Sequence, residues 1–282
     1  MTAAAATQSE SKLLDVRYAG LPPLLRWYLI NERGILGALS FVGFFLFWEI
    51  GSAAGWIDAY FFSSPARIFN AGVTEVQNPR LWSDLQISGT ELVVGYVAAA
   101  AIGVPLGILV GWYRKLNYFV DPWLNFMNAL PRVAMMPLIV LWVGIGIWSK
   151  IVVVFLGVFF TVVINSLYGV RTVDRRLLDV SSSFKASQWR VFTTVVLPGS
   201  VPFILAGLRL GIGRGLIGVL VGELYSSNAG IGYMITVSSQ TLQTSRLLFG
   251  VLLLTLMGVI GVELVRLLEK RVERWRPKVG AR

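Results

Sequence analysis

Six stretches of about 20 mostly apolar residues, each long enough to cross a bilayer as a helix, constrain this chain more than anything else in it. They run over 34–56, 91–113, 123–146, 151–170, 201–224 and 247–268. The expectation is an all-α integral membrane protein with six transmembrane helices. Composition agrees: 55% of residues are hydrophobic and 14% charged, against about 45–50% and about 25% in a soluble domain. Between the first two spans, the Ser-Pro and Asn-Pro breaks of "IDAYFFSSPARIFNAGVTEVQNPRLWSDLQISGT" read as turns around a short surface helix. The brief "GIGIWSK" makes the third and fourth spans a helical hairpin.

Lys and Arg flank these spans unevenly, and that asymmetry sets an orientation. With the N-terminus in the cytoplasm, eighteen of the 25 basic residues fall in the inner tails and loops. Only Arg67, Arg80, Lys150 and Arg246 fall on the other side, while Arg132, Arg209 and Arg214 lie within spans. Both termini are therefore expected inside. The chain divides into a cytoplasmic tail over 1–33, a transmembrane body over 34–268 and a second tail over 269–282. The same placement accounts for the net charge of +10 without a nucleic-acid partner. The N-terminal tail has no short apolar core with a small-residue cleavage site, so it reads as retained and not as a signal peptide.

Cysteine and histidine are both absent. That removes disulfides, thiolate metal sites and the commonest general base, and with them most of the case for a zinc hydrolase or a Ser-His-Asp enzyme. No Gly-x4-Gly-Lys-[Ser/Thr] phosphate loop occurs, so no ATP site is expected here. No cofactor or metal is assigned to the chain itself.

Inside the spans, glycines repeat at helical spacing. Gly103, Gly107 and Gly111 share one face of the second span; Gly207, Gly211, Gly215, Gly218 and Gly222 line the fifth. Small residues four apart let helices approach closely in lipid, either within one chain or between subunits. Pro105 is expected to loosen the second helix, and Pro131 and Pro137 the third. Arg214 falls about 20° from the glycine face at 100° per residue. Arg209 and Glu223 fall opposite, near the ends, where long side chains snorkel. An intramembrane charge is a functional candidate by default, so Arg214 is a candidate for a translocation pathway, with a structural ion pair as the competing reading. Met135, Met136 and Asn165 are the other pathway candidates, the Met pair also suiting adaptable packing. Glu49 is expected to be a bundle-facing structural residue.

One stretch interrupts the apolar pattern: "LLDVSSSFKASQWRVFTTVVLPGS", over 177–200. Asp179 can cap or charge a helix start, Phe184, Trp189 and Phe192 offer aromatic surface, and Pro198 should end a helix. This describes a cytoplasmic helix–turn–helix with exposed aromatics, which suits a docking partner or a helix lying on lipid. The stretch resembles the coupling loop of ABC importer permeases, whose pattern is Glu-Ala-Ala, three residues, Gly, nine residues, then Ile-x-Leu-Pro. Asp179-Val180-Ser181 stand at the Glu-Ala-Ala, Lys185 at the Gly, and Val195-Val196-Leu197-Pro198 at the ending. Asp is a shorter carboxylate, Ser181 replaces a small apolar residue, and Lys185 replaces a residue suited to a left-handed turn.

The likeness extends through "LVVGYVAAAAIGVPLGILVGWY", "DPWLNFMNALPRVAMMPLIVLWVGIG" and "LPGSVPFILAGLRLGIGRGLIGVLVGELYSSNAGIGYMI", which look like the nitrate/sulfonate/taurine branch of these permeases. What the resemblance implies is a type I ABC importer permease fold with a coupling loop at about 171–200. ATPase coupling would fall to Asp179, Ser183, Phe184, Lys185, Ala186, Trp189, Leu197 and Pro198. It implies a homodimer, two ATPase subunits that carry the ATP and magnesium, and an external solute-binding protein. The cargo implied is a small oxyanion (an aliphatic sulfonate, taurine or nitrate) or else another small organic solute such as an aromatic acid or vitamin precursor. A membrane-embedded enzyme and a passive channel are the rival classes. Scarce carboxylates within the spans count against the first, the ATPase-docking loop against the second.

Overall fold

The computed structural model describes residues 22–226 and 228–272; most of both expected tails, and the side chain of Arg132, lie outside them. The chain forms two compact units that divide after Phe69. In the first, α1 (Pro23–Ala53) is a long apolar helix with Leu39, Phe41, Phe44 and Phe47 exposed, a surface suited to lipid. The short α2 (Ala59–Phe62) follows, with Asp58 accepting from the Tyr60 amide at 2.8 Å. Glu49 does not simply face a bundle. Its carboxylate accepts from the Ala66 amide at 2.9 Å and the Ser64 hydroxyl at 3.3 Å. It thereby caps the start of α3 (Pro65–Val76), where orphan N–H groups favour negative charge.

The second unit is built on three long helices. They are α4 (Pro79–Trp112), then, after α5 (Arg114–Ala129) and α6 (Met136–Val143), α7 (Ile147–Arg171), and α10 (Leu197–Ser226), which follows the short α8 (Arg175–Ser183) and α9 (Gln188–Val191). After α10 come α11 (Ile231–Gln240) and α12 (Thr244–Val272). Among the described residues, five helices have the length and apolarity of a membrane span, and α5 with α6, bent by 83° between them, passes the same test as a pair, as a broken span or a re-entrant loop.

The third span was expected to be loosened by Pro131 and Pro137, and the bend falls at the first of them. Pro131 disfavours helical geometry for the residue before it, and Leu130 sits at φ −63°, ψ 134°. Pro137 causes no break, because it lies in the first turn of α6, where a missing N–H costs nothing. Pro105 lies inside α4, and the helix runs through it. Several boundaries also move. At 34 residues, α4 is about 50 Å long, so it outreaches the roughly 30 Å of hydrocarbon. Lys150, counted above as a loop residue, is inside α7.

Valines and glycines explain why α7 is the centre. Val154, Val158 and Val162 are wholly buried, in one cluster with Leu92 and Ala99 of α4 and Val219 of α10. The glycine faces of α4 and α10 both close on α7. A Cβ on Gly107 would lie 2.5 Å from the Val163 carbonyl oxygen, one on Gly111 2.8 Å from Val170 Cβ, and one on Gly103 3.3 Å from Val162. From the other side, a Cβ on Gly218 would lie 2.8 Å from Val154 Cα, one on Gly207 2.6 Å from Asn165 Cβ, and one on Gly211 3.1 Å from Val158. Each valine is a knob seated where a partner has no side chain, the packing that drives association when lipid offers no hydrophobic gain.

Candidate functional site

The polar stretch builds one end of this bundle. Asp174, not Asp179, caps α8, accepting from the Arg176 amide at 2.9 Å. Asp179 is in mid-helix; its carbonyl accepts the Ser182 and Ser183 hydroxyls at 2.7 and 3.1 Å, and its exposed carboxylate meets no partner among the described residues. The helix closes with a left-handed residue: Lys185 has φ 51°, its amide reaches Ser182 O at 2.9 Å, and the Ala186 amide reaches Ser181 O at 3.1 Å. Those two bonds are a Schellman closure. Lysine therefore occupies a glycine conformation, at a cost on the order of 1–2 kcal/mol.

Phe184 is 82% exposed and Trp189 72%. Phe184 points away from the chain, while Trp189 stacks on Phe192 at 5.8 Å, and Phe192 meets Trp112 of α4 at 5.1 Å. These rings, with Leu109, Tyr113 and Gln188, line a cavity of about 270 Å³. Beyond it the chain does not break at Pro198. A π-helical turn, Phe192–Val196, joins α9 to α10, with the Leu197 amide bonded to Phe192 O. The wider turn makes room for a ring that would clash with the carbonyl four residues back. One continuous helical path of 39 residues thus leads from Gln188 to Ser226.

Midway along α10, Arg214 lines a cavity of about 200 Å³ with Asn128, Leu130, Val133, Val153, Gly157, Ile217, Gly218 and Val221. The other pathway candidates lie elsewhere. Met136 is wholly buried with Ile139, Val153 and Val221, and Met135 packs on that cluster. Asn165 donates to Thr161 O at 2.8 Å and sits against Gly207.

The far end of the bundle holds a group of side chains that the sequence reading did not bring together. Asp84, Ser88 and Glu91 of α4, Lys150 of α7 and Glu223 of α10 are all buried. Lys150 forms an ion pair with Glu91. Glu223 accepts from the Ser88 hydroxyl at 2.6 Å and the Gly232 amide at 2.5 Å. Ser88 in turn accepts from the Ile231 amide at 2.9 Å, and Asp84 from the Gly230 amide at 2.7 Å. Two carboxylates and a hydroxyl therefore satisfy the first amides of α11, where the helix dipole favours negative charge. Gly230 turns there at φ 109°. Glu223 does not snorkel, as its position near a helix end suggested; it is 1% exposed. Arg209 instead reaches Glu269 of α12 at 2.6 Å.

Comparison with known proteins adds the remaining observation. Residues 103–274 match the family described as binding-protein-dependent transport system inner membrane component. A putative aliphatic sulfonates transport permease protein of Bacillus subtilis is 33% identical over 81% of this chain and 83% of its own length. Its Escherichia coli counterpart is 32% identical over 90% and 95%, and the taurine transport system permease protein of Escherichia coli 32% identical over 74% and 76%. Among solved structures, a chain of the inward-facing MetNI methionine ABC transporter matches with a TM-score of 0.50 at 21% identity, over 66% of this chain and 93% of that one.

Proposed function

This chain belongs to the family of binding-protein-dependent transport system inner membrane components, and we propose that its cargo is a small aliphatic sulfonate. It is an ABC importer permease of the type I fold, a non-catalytic transport subunit of the inner membrane that works with an ATPase and a binding protein. The cargo reading rests on relatives named for sulfonate and taurine transport that match over most of their length.

The observation that carries the mechanism is the continuous helical path from the exposed aromatic loop into the centre of the bundle. In the proposed cycle, Phe184 and Trp189 seat in a groove of an ATPase subunit, as large apolar anchors do at interfaces. Asp179 accepts a charge-assisted bond from the same partner. Two copies of the permease bind two ATPases, with both termini and the 171–200 loop in the cytoplasm. ATP and magnesium sit on the ATPases; closure of that pair pushes α8 and α9. Because α9 runs through the π turn into α10, the push is passed to α10 and to the α7 packed on it, and opens the cavity outward to the loaded binding protein. Hydrolysis returns it inward. This is alternating access driven by the differential affinity of ATP for two states.

Reconstitution tests the reading. The purified permease alone should hydrolyse no ATP above background. Added to its ATPase, it should yield hydrolysis that rises further with sulfonate-loaded binding protein. ATP turnover by the permease alone, or no response to the loaded binding protein, would contradict it.

A further inference from the structure

A charge inside a bilayer nearly always pairs or turns to water. Four basic side chains of the bundle follow that rule: Lys150 pairs with Glu91, Arg209 with Glu269, Arg246 with Glu75 at 2.9 Å, and Arg80 lies 3.9 Å from Asp84. Arg214 makes no such pair and is exposed to a cavity. Its guanidinium has no ion pair, hydrogen bond or ring contact among the described residues, yet it stands in mid-helix on α10.

The backbone beneath it is held tightly. A Cβ on Gly157 of α7 would come within 3.0 Å of the Arg214 carbonyl oxygen, and Gly215 and Gly218 seat the next turn of α10 on Val158 and Val154. The side chain is therefore presented from a rigid element. What it faces is the cavity of about 200 Å³, walled by Leu130, Val133, Val153, Ile217 and Val221, with Asn128 as the other polar side chain. No acidic residue is among that lining.

Among the described residues Arg214 is the one cation of that lining, and a cation in an aliphatic wall complements a narrow class of solute. A cation is repelled, and a neutral solute leaves the guanidinium unmet. A dianion brings a charge the site does not balance, and a bare inorganic anion presses its hydration shell on apolar walls. A monoanion with a short aliphatic body satisfies both parts. We propose that this cavity is a transit subsite for alkanesulfonates, with the Arg214 guanidinium paired to the sulfonate oxygens and Leu130, Val153, Ile217 and Val221 receiving the alkyl chain. The proposal rests on the importer reading above and adds the place where the cargo pauses. The cavity is smaller than the roughly 300–1,000 Å³ of pockets for drug-sized ligands, which suits a solute of a few carbons. A single charged contact also holds weakly enough for release, the condition any conducting site must meet.

The test uses the complete transporter in liposomes, with uptake of methanesulfonate and butanesulfonate as the probes. Arg214→Gln should lower uptake of both about tenfold or more, the worth of a charge-assisted bond. Arg214→Lys should keep an intermediate rate. Assembly of the complex should match the parent in both variants. Ile217→Phe, which narrows the apolar wall and keeps the charge, should lower butanesulfonate uptake relative to methanesulfonate. Parent-like uptake by Arg214→Gln, equal loss in the Gln and Lys variants, or an unchanged chain-length ratio in Ile217→Phe would overturn the subsite while leaving the importer reading intact. A parent complex that takes up neither probe overturns the sulfonate reading and the subsite with it.

Discussion

The two ends of the α4–α7–α10 bundle treat polar side chains in opposite ways. At one end Asp84, Ser88, Glu91, Lys150 and Glu223 are buried and bonded to each other or to the first amides of α11. At the other, about 30 Å along α4 from Glu91 to Trp112, Asp179, Phe184, Lys185 and Trp189 are exposed, and nothing in α8 or α9 is buried. A network buried and bonded mostly within itself fixes geometry and offers no exposed group to a partner. A surface of large rings and an unpaired carboxylate stabilises nothing until something covers it. The contrast assigns rigidity to the first end and recognition to the second, with α10 linking them.

The sharpest way to break that contrast is Lys150→Met. It leaves Glu91 buried without its counter-charge, which should cost about 3–5 kcal/mol, read as a lowered melting temperature of the detergent-solubilised permease. The double variant Lys150→Met/Glu91→Leu should recover much of the loss. A single variant as stable as the parent would mean the far end is not the rigid one. Phe184→Ala should act the other way round: about 2 kcal/mol weaker association with the ATPase, or roughly 30-fold in Kd, with the melting temperature of the lone permease unchanged. Smallest is Lys185→Gly. Relieving the left-handed lysine should stabilise the Schellman closure by about 1 kcal/mol, seen as slower hydrogen exchange at the Ala186 amide. Faster exchange there would show that the lysine side chain supports the turn.

How much of each end was legible before the structure follows from how local its signals are. The stretch over 177–200 announces itself: polar residues in an apolar chain, aromatics, a proline, and a spacing that resembles a family pattern, all within two dozen residues. Even there, two details escaped. Asp174 takes the capping role that Asp179 was assigned, because helix α8 begins at Arg175. Pro198 fails to end a helix, because a π turn absorbs it. The buried cluster is hard to read because its partners lie far apart: Ser88 meets Glu223 across 135 residues, and Asp84 meets Gly230 across 146. Hydropathy began the second span at Glu91 and left Asp84 and Ser88 in a loop. Yet Asp84, Ser88 and Glu91 follow helical spacing, and Gly95, Ala99, Gly103 and Gly107 continue the same buried face. Extending the helix backward along that stripe would have found the polar cluster. The glycine faces were readable as close contacts but not as contacts with α7, since spacing names a face and not its partner. Met136 illustrates the same limit: a methionine suits a pathway or a core, and only packing distinguishes them.

In the proposed cycle, ATP binding and hydrolysis elsewhere drive this chain through its exposed loop. The measurement that meets it most directly is sulfonate uptake into liposomes holding the permease, its ATPase and the loaded binding protein, with and without ATP, for the parent and for Asp179→Ala. The account predicts accumulation against a gradient in the parent only when ATP is present. It predicts fewer sulfonates moved per ATP hydrolysed in the variant, with the complex still assembled. Uptake that proceeds without ATP and stops at equal concentrations, in parent and variant alike, would make this chain a passive channel and contradict the account.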